Sequence, residues 1–274
     1  MASTAAQYLE EITSSYTPTT SQFDAARSHR SAIESRIDTD LGLREMFETG
    51  SLRHGTGVRY YSDADYIASL KGSRPGSEWT ALNNVKASLQ NRFPQTTIGV
   101  RRPAVVCYFS DATVEVVPAY SGDNGYQIAD PRGGWMQTHP KDHNQYVNAV
   151  NSKHSGGAKR LARQMKIWKY KRNVPVSSCY LEMRAAKYLD GESSYVALAD
   201  LHRLMRHLQS IDLAAMNDPT GLGSRFTAYS SDSTYIDARS KLNTAVSRAQ
   251  KAREYADEGR DQLAIDQLKL LFDQ

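Results

Sequence analysis

Apolar residues three and four apart open the chain: Phe23, Ala26, Ile33, Ile37 and Leu41 share one helical face. This spacing predicts a long first helix over 22–41, with Ser21 and Asp24 placed as a capping box. A second helix is expected over 78–93, carrying Trp79, Leu82, Val85, Leu89 and Phe93. Between and after these the period drops to two, which predicts strands over 66–70, 97–101, 104–109 and 113–118. Ser110-Asp111-Ala112 supplies the turn between the last two. Residues 121–125 and 130–134 read as polar loops. Beyond them the pattern is helical again, over 140–151, 157–171, 178–189, 195–216 and 234–272. The order is thus helix, mixed α/β region, helical half, with a division expected between 133 and 134 and no internal repeat.

Composition narrows the class only slightly. With 274 residues, 40% hydrophobic and 23% charged, the chain can bury a substantial core. No apolar run approaches the length of a membrane-spanning helix, and Met1 to Ala5 lacks the basic start of a signal peptide. Cys107 and Cys179 have no metal-ligand spacing and read as free thiols, so the expected location is the cytoplasm. A net charge of +4 suits a protein that handles anions such as nucleotide phosphates, and does not by itself require nucleic acid.

The chemistry concentrates around Asp63 and Asp65. On a strand, residues two apart point to the same side, so these carboxylates repel unless a cation or water faces them. A third acid, Glu115, sits in the apolar run Val114-Glu115-Val116-Val117, where a core position without a partner would be costly. If the two strands are neighbours, the three carboxylates converge. Such a set suits Mg²⁺, which takes one or two protein carboxylates together with water and substrate phosphates. Alternatively, Asp63 and Asp65 belong to a solvated turn and Glu115 faces water from an edge strand. The preceding segment favours the first reading. Gly50-Ser51 begins a loop that returns through Gly55-Thr56-Gly57, with eleven residues between Ser51 and Asp63. Its glycines let backbone approach a polyphosphate, and Ser51 offers a hydroxyl and an amide.

Gly50-Ser51 followed by Asp63-Ala64-Asp65-Tyr66 resembles the signature of the polymerase-β-like nucleotidyltransferases. Val114 to Ala119, Gly134-Trp135, Lys166-Ile167-Trp168-Lys169, Ser178 to Glu182 and Asp218-Pro219 resemble, within it, the cGAS/DncV-like nucleotidyltransferases (CD-NTases). The resemblance implies an α+β fold: a catalytic lobe with a mixed sheet over 1–133, a helical lobe over 134–274, and a cleft between them. It implies that Asp63, Asp65 and Glu115 hold two Mg²⁺ ions, with Mn²⁺ as an alternative. Gly50, Ser51, Lys166, Ser178 and Tyr180 would then hold the nucleotide. The third acid is most often aspartate in that family, and here it is glutamate.

The implied activity is the joining of nucleoside triphosphates into a cyclic di- or trinucleotide second messenger, with release of pyrophosphate, in antiphage (CBASS) defence. The implied partners are ATP with at least one further nucleoside triphosphate, and a downstream effector that senses the product. Two other readings stay open: transfer of one nucleotide to a small molecule, protein or RNA end, and a catalytically silent nucleotide-binding protein. In the helical half, Arg160, Arg163, Lys166 and Tyr170 fall on one helix face, a charged stripe of the kind that is usually solvated. His54 lies inside the phosphate loop, either exposed or against a phosphate or base. Trp135 and Trp168 are expected as core anchors.

Overall fold

A seven-stranded mixed sheet organises the first half of the chain. The computed structural model describes residues 2–122 and 125–273; Asp123 and Asn124, in the first expected polar loop, lie outside the described residues. The strands are β1 (Leu43–Thr49), β2 (Ala64–Leu70), β3 (Thr97–Arg101), β4 (Ala104–Tyr108), β5 (Thr113–Gly122), β6 (Gly125–Ala129) and β7 (Trp135–Thr138). They run in the order β1-β2-β5-β4-β3, with β6 on the far end of β5 and β7 beside β6. Among the described residues, only β2 and β5 pair in parallel.

One face of this sheet is apolar and covered. Tyr66, Ala68, Leu70, Val105, Cys107, Val114 and Val116 pack there against helices α3 (Arg30–Leu41) and α5 (Glu78–Arg92). Ile33, Ile37, Leu82, Val85 and Leu89 are the helical side of that core, all buried. Ser77 caps α5, its hydroxyl accepting the Trp79 N–H at 3.2 Å. The opposite face has only a small cluster of Ile67, Val117, Ala119, Ala104 and Ile128. Because faces alternate along a strand, the acids at 65 and 115 belong to this second face, and Asp63 lies just before β2.

The remaining helices are α1 (Ala5–Ser15), α2 (Thr20–Ser28), the short α4 (Gly50–Arg53), α6 (Pro140–Lys153), α7 (Gly157–Lys171), α8 (Ser178–Asp190), α9 (Ala197–Ser210), α10 (Asp232–Asp257) and α11 (Asp261–Phe272). The last six build a core around Leu161, Met165, Trp168, Leu181, Leu201, Leu204, Leu242 and Leu268. Trp168 is thus a core anchor, while Trp135 packs edge-on against Tyr120 at the rim of the sheet core.

The expected α+β fold with a mixed sheet and a helical half is borne out, but several elements differ. The expected helix over 22–41 is two helices, broken at His29, whose ring stacks on Phe109 at 3.7 Å and bonds Asp111 at 2.7 Å. The expected helix over 234–272 breaks at Gly259, which takes a left-handed φ of +72°. Strand β1 had no clear period-two signature because a bulge between Leu43 and Glu45 shifts its register. The sheet runs beyond residue 133, since β7 pairs with β6. Helix α1 packs through Ala5, Leu9 and Ile12 into the helical core, so the N-terminus belongs with the second half.

Leu9 is fully buried there. Leu9→Ala is therefore expected to lower unfolding stability by about 2–5 kcal/mol in urea titrations, although it lies far from the acids in sequence. A change within error would show that α1 is not part of the helical core.

Candidate active site

The parallel pairing of β2 with β5 sets Asp65 opposite Glu115, and Asp63 precedes Asp65 by two residues. The two strands are therefore neighbours, and Arg101 bridges Asp63 and Glu115 across them. Burial, and next the charge of Asp63, push the Asp65 carboxyl up to about 7, opposed by Lys166, the Ser51 amide and Arg101. Asp63 is also raised by burial, opposed by Arg101. Arg101, at the end of β3, places Nη2 3.1 Å from Asp63 Oδ2 and bonds Glu115 through the same nitrogen. Among the described residues, no three His, Cys, Asp or Glu side chains are arranged to hold an ion as they stand. The donor set still fits a cation: hard carboxylate oxygens, half-buried, one of them raised beside another acid, with a guanidinium already drawn to two of the three.

Gly50 touches this set directly. Its φ is +66°, and a Cβ on it would lie 2.0 Å from Asp65 Oδ2. Any side chain here would strike the carboxylate, and an L-residue would also strain the backbone. The missing Cβ lets the turn into α4 lie against Asp65 while the Ser51 amide donates to it. The Gly-Ser pair read from the sequence as a phosphate loop is thus also the support of the half-buried acid.

The loop's far end is tied to the helical half by a buried cluster. Glu182 of α8 bonds His54, Thr56 and Lys166, and Lys166 Nζ donates to Thr56 Oγ1 at 2.8 Å. Against the cost of burial, Lys166 and His54 hold Glu182 well below the usual carboxylate range. Arg163 donates to the carbonyls of Gly57 at 2.9 Å and Gly55 at 2.7 Å. Of the helix face read as a solvated stripe, Arg163 and Lys166 therefore grip the loop, while Arg160 donates to the Ser155 carbonyl. Lys166, expected at the triphosphate, is buried with Glu182, and only its charge reaches Asp65. His54 is buried in the same cluster.

Ser178 lies beside a different lysine. Its hydroxyl accepts from Lys169 Nζ at 2.6 Å and lies 3.1 Å from the Tyr170 hydroxyl. Burial, then the charges of Lys166 and Arg101, lower Lys169 to about 8. Tyr170 stacks on Tyr61 with centroids 4.7 Å apart. Tyr180, expected to contact a base, is corrected: it is fully buried and its hydroxyl donates to the Ala214 carbonyl at 2.9 Å. Its ring fills the core, and no face is free to stack. Asp218 anchors its own turn, accepting from the Gly223 amide at 2.9 Å and bonded to His143 at 2.6 Å. Arg101, Lys169 and Glu182 were missed as site residues. The only local signal was that Lys169 and Glu182 fall inside quoted family segments.

A glycine-serine turn feeding paired strand carboxylates, on a mixed sheet backed by two helices, is the arrangement of a polymerase-β-like nucleotidyltransferase. Residues 3–151 match the Second Messenger Oligonucleotide or Dinucleotide Synthetase (SMODS) domain, and the chain belongs to that family. This agrees with the CD-NTase resemblance. A curated relative, the cyclic AMP-AMP-AMP synthase of Escherichia coli (strain MS 115-1), is 29% identical over 166 residues, 55% of this chain. The matched part spans about half of that relative, 52% of its length. Among solved structures, E. coli MS115-1 CdnC with ATP superposes with a TM-score of 0.75 at 18% identity, covering 98% of this chain and 97% of that one. The Bradyrhizobium diazoefficiens CD-NTase CdnG, in complex with GTP, superposes with a TM-score of 0.71 at 14% identity, covering 98% of each chain. At these identities the two structures establish the shared fold.

An acid whose pKa is higher folded than unfolded binds more protons in the folded state between the two values. Metal-free stability contributed by Asp65 is therefore full near pH 4 and lost as pH rises toward about 7. Asp65→Asn is expected to match the parent at pH 4 and exceed it at pH 8 by on the order of 2 kcal/mol, in urea unfolding with EDTA. A variant less stable than the parent at pH 8 would contradict the burial of an uncompensated carboxylate.

Proposed function

We propose that this chain joins nucleoside triphosphates through phosphodiester bonds into a cyclic di- or trinucleotide, releasing pyrophosphate, as a second messenger in antiphage defence. The observation that carries this reading is the Gly50–Asp65 contact, with Glu115 in register beside it. It combines a backbone approach for phosphates with half-buried, neighbouring carboxylates that call for a cation. Asp63, Asp65 and Glu115 would hold two Mg²⁺ ions, which when bound supply Lewis-acid activation of the acceptor hydroxyl and neutralise the leaving pyrophosphate.

The chain's own groups do the positioning. Gly50 keeps the loop close to the acids, and Ser51 presents its hydroxyl from the same turn. Lys169 with Ser178, and the charge of Lys166 behind them, give the helical wall the positive potential that a triphosphate needs. Tyr61 and Tyr170 add stacked aromatic surface beside Ser178. ATP, a second nucleoside triphosphate and a product-sensing effector are the partners this reading implies, and the cytoplasm is its compartment. Among the described residues no helix is long and apolar enough to cross a membrane.

Incubation with radiolabelled nucleoside triphosphates and Mg²⁺ is expected to give phosphatase-resistant label. The double variant Asp63→Asn, Asp65→Asn should fold and lose at least about a thousandfold in turnover, because electrostatic stabilisation is a major part of phosphoryl-transfer catalysis. Label on an added acceptor would mean single transfer, and no consumption would mean a silent binding protein. Unchanged turnover in the double variant would sink the site assignment.

A further inference from the structure

Arg101 stands on the edge strand β3, separated from β5 by β4, yet its guanidinium lies between two of the acids. The register explains how. Val106 of β4 faces Glu115 on one side and Gly99 of β3 on the other. Glycine at 99 puts no side chain in that row, which leaves Arg101, two residues further on, a path toward Glu115. Among the described residues its side-chain hydrogen bonds go to Asp63 and Glu115 alone, and the side chain is 62% exposed. Core packing does not demand this placement. The carboxylates do, because two close acids gain from any cation beside them.

We infer that Arg101 is a resident cation that occupies the carboxylate site of the nucleotide-free protein and competes with a divalent ion for Asp63 and Glu115. The inference rests on the reading of these acids as the metal-holding set. A flexible arginine can perform such an exchange. The guanidinium keeps its charge at any working pH, and its long side chain can swing off the acids into water without disturbing the sheet. A triphosphate supplies the further oxygens a divalent ion needs and another anionic acceptor for the displaced guanidinium, which tips the exchange toward the ion.

The test is Mn²⁺ binding to the full chain stripped with EDTA, without nucleotide, read from the electron paramagnetic resonance signal of the free ion. Arg101→Ala is expected to bind Mn²⁺ at least about fivefold tighter than the parent, since a competing ion pair is removed. Arg101→Lys, which keeps the charge but loses the two-acid reach, should fall between them. Equal or weaker Mn²⁺ binding in Arg101→Ala overturns the inference. Adding Asp63→Asn and Asp65→Asn to Arg101→Ala locates the ion. Loss of binding places it at the carboxylates, and the comparison with Arg101→Ala then judges Arg101 alone. Binding retained in that triple variant overturns both the carboxylate reading and the inference.

Discussion

Asp65 is a half-buried carboxylate set against a glycine, and much of the surrounding structure follows from that contact. The Cβ that Gly50 lacks would lie 2.0 Å from the Asp65 oxygen, so this turn can close only on glycine. Closing it brings the Ser51 amide onto the carboxylate and starts the short helix α4. It also fixes where the loop must travel next, toward the helical half. A half-buried acid beside a second acid costs free energy, which shows in the raised carboxyl of Asp65. The raised carboxyl of Asp65 and the arginine drawn to its neighbours give this part of the sheet the character of a charged site.

The second constraint is the cluster around Glu182. It gathers a carboxylate, a lysine, a histidine and a threonine hydroxyl out of water, where each needs the others. Its members come from the loop after β1, α7 and α8, so it joins the sheet half to the helical half beside the acids. Arg163 adds two bonds to the loop's carbonyls. The loop is thereby held at both ends, by Asp65 where it begins and by Glu182 where it turns back. That arrangement gives a preorganised site more than it gives stability, because removing any one partner leaves a buried charge exposed to low dielectric.

The acids and the glycine-serine pair were legible in the sequence because their signals are local. Alternation places Asp63 and Asp65 on one side, and an acid in the apolar run Val114 to Val117 stands out by itself. Most helices and the inner strands were legible for the same reason. Strand β1 was hidden by its bulge, β6 and β7 by their shortness and polarity, and the breaks at His29 and Gly259 by continuous apolar spacing across them. Arg101 could not be read, since its role depends on a path across β4 set by register. Nor were the partners of Lys166 and the burial of Tyr180 legible in the segments that resemble the family. Whether a lysine meets a phosphate or a glutamate, and whether a tyrosine faces a cleft or a core, is settled by helices that pack from far along the chain.

The most direct test of this account is the nucleotide consumption of Gly50→Ala, measured beside its thermal unfolding and circular dichroism. The account predicts a folded protein whose Asp65 has been pushed off its seat, with consumption down by at least about a hundredfold, as misplacing a reacting group by about 1 Å costs. Consumption within a few-fold of the parent, in a protein that unfolds at the parent's temperature, would contradict it, because the Gly50–Asp65 contact would then not govern the site.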